Sequence, residues 1–430
     1  MRTGRERALF EIRTLFFFIK RPFLNLVQCQ VLEMSFVYKL CLVLVFGVFC
    51  EAELRKEAYM TVPSLIKAAG YPVEKHRVTT PDGYVLQMHR IPAGRRSARR
   101  TGDLNAKGKK AILIIHGLLG GSSDFVIMGP ERSLSYLLAD AGYDVWLGNL
   151  RGTVYSTHTN LTKNDPKFWD FSFHEHGKYD LPAMIDRVLN ITGLDKIMLV
   201  GYSMGTTSSF IMFSQRPEYN DKLIAFVALA PAVYMDNMKL IANLALNTLD
   251  IVNVMRARGM TSLQPQFLQG LISTLCNLKQ PETDLCTNFI YTLVGEDFEQ
   301  NDLEMLPIYL YRVQPASWRA LEHYGKIAIS GVFTTFSGGL SGPVKPYNLT
   351  NVKVPVTLLY GENDQLTEKS QIMRLADQLK STGVLEEVRP GCSWPKFNHL
   401  DFVFAKDVGK IFNKPLIKLI DQLYNKYYTA

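Results

Sequence analysis

The stretch Lys196–Phe210 reads KIMLVGYSMGTTSSF. An apolar run, Ile197–Val200, stops at Gly201, and Ser203 stands between Gly201 and Gly205. A short run this apolar suits a strand covered on both faces of a parallel sheet. The small residues that follow suit a helix packed closely behind it. The G-x-S-x-G pattern is then a strand-to-helix turn with two readings. In one, Ser203 caps the helix with its side chain. In the other, the glycines permit a sharp turn that exposes Ser203 as a nucleophile. The pattern is too common to decide alone, so the decision falls to the rest of the chain.

A serine nucleophile needs a base, a group to orient that base, and donors for an oxyanion. In folds with this turn the chain order is Ser, then Asp or Glu, then His. Two histidines follow Ser203, His323 and His399. His323 lies on an amphipathic stretch, ALEHYGK, and reads as structural. His399, in FNHLDF near the C-terminus, is the better base. Asp364 closes VPVTLLYGEND at the end of a predicted strand and is the expected acid, with Glu362 and Asp401 as neighbouring alternatives. The segment ILIIHGLLGGSSD (112–124) puts a glycine-rich loop directly after another strand. The backbone N–H groups of Leu118 and Met204 are the expected oxyanion donors. The histidines at 76, 89, 158, 174 and 176 show no i, i+4 ligand pair, so neither a metal nor a cofactor is expected.

The wider pattern agrees with a doubly wound α/β sheet. Val78–Ile91 reads as a hairpin around Pro81-Asp82-Gly83. Strand-like runs follow at Ala111–Ile115, Asp144–Leu147, Ile197–Val200, Ile224–Leu229 and Val354–Leu359. Helix-like segments lie between them at Leu134–Ala141, Leu181–Thr192 and Gln371–Leu379. The alternation breaks between residues 235 and 350, which read as a mostly helical insertion late in the sheet. The expected organisation is therefore a core over 53–234 and 351–430 with a cap at 235–350. Such an insertion sits over the C-terminal strand ends, where open α/β sheets hold their ligands.

At 47% hydrophobic and 20% charged, the 430-residue chain is no disordered tail. Its net charge of +8 is spread too thinly for nucleic-acid binding. The densest basic cluster is Arg90, Arg95, Arg96, Arg99, Arg100, Lys107, Lys109 and Lys110, and it reads as a solvated loop. From Met34 the chain runs MSFVYKLCLVLVFGVFCEAEL, which reads as a signal peptide over 34–52. Its apolar run is too short for a comfortable membrane span. Residues 1–33 then read as an upstream extension. Export agrees with the cysteines: Cys276 and Cys286 are close enough to bridge, leaving Cys392 free. Asn160, Asn190 and Asn348 begin glycosylation sequons.

These residues resemble the acid lipase family of the α/β-hydrolases, which includes gastric and lysosomal acid lipases and insect digestive lipases. The resemblance spans about residues 60–424. It rests on GYPVEKHRVTTPDGYVLQMHRIP, HGLLGGS, GNLRG, FWDFSFHEHGKYDLPAMID, LVGYSMGTT, ALAPAVY, LYGENDQL and FNHLDFVFAKD. It implies Ser203, Asp364 and His399 as triad, Leu118 and Met204 as oxyanion donors, Cys276–Cys286 as a cap disulfide and Cys392 as a free thiol. It also implies a lidded, apolar crevice for neutral lipids, such as triacylglycerol or sterol ester, in a secreted or lysosomal protein. The chain departs from the family's usual G-H-S-Q-G in having Tyr202 and Met204, and from N-S-R-G in having Leu150. In the cap, PASWRALEHY is short of the usual stretch, and Ser337 stands where Asp is common. The competing readings are a small-ester carboxylesterase and a non-catalytic lipid-binding or storage protein.

Overall fold

Apolar runs with no polar side to offer water must be covered on both faces, and they form the centre of the sheet. The computed structural model describes residues 55–97, 109–235, 262–264, 285–302 and 304–428, without the side chains of 285–289. The leader, the N-terminal extension, Cys276 and the Cys286 side chain lie outside what is described. The strands are β1 (Glu74–Thr79), β2 (Tyr84–Ile91), β3 (Ala111–Ile115), β4 (Asp144–Leu147), β5 (Ser156–His158), β6 (Ile197–Tyr202), β7 (Leu223–Leu229), β8 (Ser262–Leu263), β9 (Ala316–Ser317), β10 (Val356–Tyr360) and β11 (Leu385–Pro390). The main sheet runs β1-β2-β4-β3-β6-β7-β10-β11, with β5 paired to β2. β1, β2, β4 and β5 pair antiparallel where they meet, and every pairing from β4 to β11 is parallel. β8 and β9 form a separate antiparallel pair.

Every residue of β3, β6 and β7 is buried. Their side chains alternate between two cores, as strand geometry requires. After α1 (Val62–Ala68) and α2 (Leu134–Asp140) come α3 (Leu181–Thr192) and α4 (Met204–Gln215), which complete the core that Leu113 and Leu199 face. Ile114 and Val200 face another, completed in part by Leu416, Ile420 and Leu423 of the C-terminal helix, Lys414–Tyr427. Between β7 and β10 the described helices are α5 (Leu285–Val294), α6 (Leu306–Tyr311) and α7 (Trp318–Ser330).

Two strands of the main sheet escape the sequence pattern, as does the β8–β9 pair within 235–350. β5 is three residues of mostly polar character, and every residue of β11 is only half-buried, as edge positions allow. The reading of Arg90 as part of a solvated loop is corrected. It lies in β2, buried, with Nε 2.8 Å from Asp144 Oδ1 and Nη1 3.0 Å from Glu74. The charge needs this shelter of carboxylates because burial strips its water.

Arg151, in the loop after β4, is a second buried cation. Its guanidinium reaches Asp82 in the β1–β2 turn at 2.6 Å and Asp180, just before α3, at 2.7 Å, and lies 4.0 Å over the Tyr84 ring. It ties the hairpin to the helix behind the sheet. Asp180→Asn leaves half of that buried charge uncompensated. It is expected to destabilise the fold by about 3–5 kcal/mol, read as a lower urea midpoint.

Candidate active site

The turn after β6 has no room for side chains at its glycines. A Cβ on Gly205 would lie 2.5 Å from the Ile115 carbonyl oxygen, and one on Gly201 would lie 3.0 Å from the Gly205 backbone. Strand and helix therefore meet in one residue, Ser203, at φ 52° and ψ −118°. A non-glycine residue there is strained by about 1–3 kcal/mol. Its amide donates to the Leu229 carbonyl at 2.9 Å. Its side chain makes no capping bond, so the helix-cap reading is set aside.

Ser203 Oγ instead lies 2.9 Å from His399 Nε2, and His399 Nδ1 lies 2.8 Å from Asp364 Oδ2. All three are buried. Asp364 follows β10. Its Oδ1 accepts the Leu366 and Thr367 amides, each at 2.8 Å, and its Oδ2 accepts the Thr367 hydroxyl at 2.7 Å. A carboxylate held by donors on every side accepts from His399 too, so Nδ1 carries the imidazole proton. The Nε2 lone pair is left facing Ser203, the tautomer a general base requires.

The alternatives go elsewhere. Glu362 pairs with Lys369 at 3.1 Å. Asp401 accepts the Asn398 amide at 2.7 Å, and burial with neighbouring carboxylates pushes it up to about 8. His323 is stacked on Phe173 at 4.0 Å and bonded to the Thr334 carbonyl and Ser172, a structural imidazole. Leu118 and Met204 line one small cavity beside Gly117. Gly117 itself is close enough to Ser203 that an added Cβ would come within 3.1 Å of the serine Cβ. Met204 opens α4, and the first N–H groups of a helix have no partner within it. Asn160, Asn190 and Asn348 are all exposed. Cys392 is free, and burial pushes its thiol up to about 11.

Comparison with known proteins fits this geometry. A family profile described as the α/β-hydrolase fold matches residues 110–397, and one described as a partial α/β-hydrolase lipase region matches 62–129. Lipase 3 of Drosophila melanogaster is 38% identical over 370 residues, covering 82% of this chain and 91% of its own. The chain belongs to the α/β-hydrolase lipases. Drosophila Lipase 1 is 36% identical, covering 86% of this chain and 82% of its own. The gastric triacylglycerol lipase of Bos taurus is 34% identical, covering 85% and 92%. A solved structure from Sulfolobus solfataricus aligns over 79% of this chain and 90% of its own, with a TM-score of 0.52 and 14% identity, a likeness of fold alone. As an α/β-hydrolase lipase the chain is a serine ester hydrolase.

Two residues beyond the sequence reading shape this site of an α/β-hydrolase lipase. Tyr202, unusual in its motif, donates its hydroxyl to the His399 carbonyl at 2.8 Å. Burial raises its pKa, so it stays a donor, and it ties the serine turn to the histidine loop. Tyr202→Phe is expected to lower kcat on a soluble ester about three- to ten-fold with KM little changed, as loss of one positioning hydrogen bond. Asp124 accepts the Gly121 amide at 3.1 Å at the end of the glycine-rich loop, and burial pushes its carboxyl up to about 7. Between about pH 4 and 7 the folded protein keeps a proton that the unfolded chain has released. The contribution of Asp124 to stability therefore falls as pH rises through that window. Asp124→Asn, neutral throughout, is expected to gain in melting temperature relative to the parent from pH 4.5 to 7.5.

Proposed function

We propose that this lipase-family chain hydrolyses carboxylic-ester bonds of neutral lipids, triacylglycerol or sterol ester, through a Ser203-acyl intermediate. The observation that carries the reading is the unbroken hydrogen-bonded line from Ser203 Oγ through His399 to Asp364 at the C-terminal ends of parallel strands. Ser203 Oγ attacks the ester carbonyl carbon as its proton passes to His399 Nε2. Asp364 holds the resulting imidazolium. The oxyanion takes the N–H groups of Leu118 and Met204, helped by the positive end of α4. Nε2–H then protonates the departing alcohol oxygen. Water, deprotonated by the same nitrogen, releases the acid and restores the serine.

A lipid substrate is supported by the named lipases among the relatives and by the apolar residues beside the site, including Leu118, Leu119, Leu150, Phe171 and Met204. In this reading 235–350 is the cap, joined by the Cys276–Cys286 disulfide. The segment 34–52 directs the chain to secretion or the lysosome, with glycans on the exposed Asn160, Asn190 and Asn348. Among the described residues no helix is long and apolar enough to cross a membrane.

Ser203→Ala is expected to lower ester hydrolysis by about a thousand-fold or more. Full activity in that variant refutes the nucleophile. The substrate class is tested on the unaltered enzyme with emulsified trioctanoylglycerol and a soluble butyrate ester. Turnover rising sharply above the solubility limit of the triglyceride is the expected result. Turnover of the soluble ester alone makes the protein a carboxylesterase, and turnover of neither makes it a lipid-binding protein.

A further inference from the structure

His176 is a buried side chain that the mechanism leaves unused. It opens the wide-turned segment His176–Asp180 that leads into α3. It is 2% exposed, and neither ring nitrogen has a hydrogen-bond partner. Burial, with Arg151 and His116 nearby, holds its pKa well below that of an ordinary histidine. The ring is therefore neutral and presents one N–H and one lone pair, both unmet. Leaving a buried donor and acceptor empty costs stability, so the fold gains nothing by it.

His176 lines the same cavity as Gly117, Leu118 and Met204, together with Ala316, Ser317 and Ala320. Its volume of about 20 Å³ admits one oxygen-sized group. The other polar side chains of the wall are occupied. His116 bonds the Gly117 carbonyl at 2.8 Å and the Leu150 amide at 3.1 Å. Arg151 is held by Asp82 and Asp180. Ser317 donates to the Trp169 carbonyl at 2.6 Å, and Thr153 to the Leu150 carbonyl at 2.9 Å. His176 alone offers a donor and an acceptor together, in a space that is otherwise mostly apolar. The complement is a hydroxyl. The cavity also borders the reaction directly, since Gly117 packs on Ser203 and Met204 follows it.

We propose that His176 and this cavity form a hydroxyl-binding subsite, which favours, among the neutral lipids the enzyme hydrolyses, esters of a polyol that keep a free hydroxyl on the carbon beside the esterified one. A partial acylglycerol is such an ester. The inference rests on the reading of Ser203 as nucleophile. It makes His176 a specificity residue, because a site built to hydrogen-bond a hydroxyl discriminates against a substrate that lacks it.

The test compares kcat/KM for 1,3-dioctanoylglycerol, in which both esters flank the free hydroxyl, and for its 2-O-methyl ether, which loses the donor and adds a methyl group that the cavity has no room for. The unaltered enzyme is expected to prefer the free hydroxyl by about five- to ten-fold. In His176→Met that ratio is expected to fall towards one. A ratio near one in the unaltered enzyme overturns the proposal, whether or not the variant folds. So does a ratio that His176→Met leaves intact, which assigns the cavity to a bound water. Hydrolysis of both esters that persists in Ser203→Ala overturns the catalytic reading, and this inference with it.

Discussion

The backbone at Ser203 is the constraint on which the site depends. Strand β6 and helix α4 meet with no linker, because Gly205 lies against the Ile115 carbonyl and Gly201 against Gly205. The one residue left to make the turn takes φ 52°. That strain persists because β3, β6 and β7 are buried along their whole length and cannot shift to relieve it. The result is a side chain that points away from its own helix and towards whatever the neighbouring strand ends supply.

Those strand ends are held together by more than the sheet. The chain between β7 and β10 returns to the same edge at 294–296. There the Val294 carbonyl accepts the His399 amide at 3.2 Å, and the Gly295 carbonyl accepts Asn398 Nδ2 at 2.8 Å. The Glu296 carbonyl accepts Asn363 Nδ2, also at 2.8 Å. One turn of chain thus touches the loops of Asp364 and His399 together. Gly295, at φ 98°, sits so close to Asn363 that a Cβ would come within 1.8 Å of its carbonyl oxygen. With Tyr202 bonded to the His399 carbonyl as well, the histidine loop is held by both the 294–296 segment and the turn that carries Ser203.

Residues whose environment follows from local pattern were legible in the sequence. β3 and β4 begin and end where their apolar runs do, and β6 extends its run only to Tyr202. Helix α3 matches its expected span. Residues whose role depends on distant partners were not legible. Arg90 looks like part of a basic loop until Asp144 and Glu74 are seen around it. β11, with LEEVRP, carries the charge of a surface segment because only one of its edges is paired. Nothing in HEHGK sets His176 apart from His174, yet His174 bonds Tyr347 at 2.7 Å while His176 stands unpartnered at a cavity wall.

By itself the sequence determined the order of strands and helices, the place of the sharp turn, and a short set of acids and bases to serve it. Periodicity and small residues act over a few neighbours, and they are written locally. Only the tertiary structure decided which of Asp364, Glu362 and Asp401 faces His399, and that Tyr202 reaches the same loop. It alone left His176 without a partner. Hydrogen bonds are directional and end near 3 Å, and Ser203 and His399 are 196 residues apart in the chain. No local pattern carries a distance of that kind; it exists only once the sheet has brought its strand ends together.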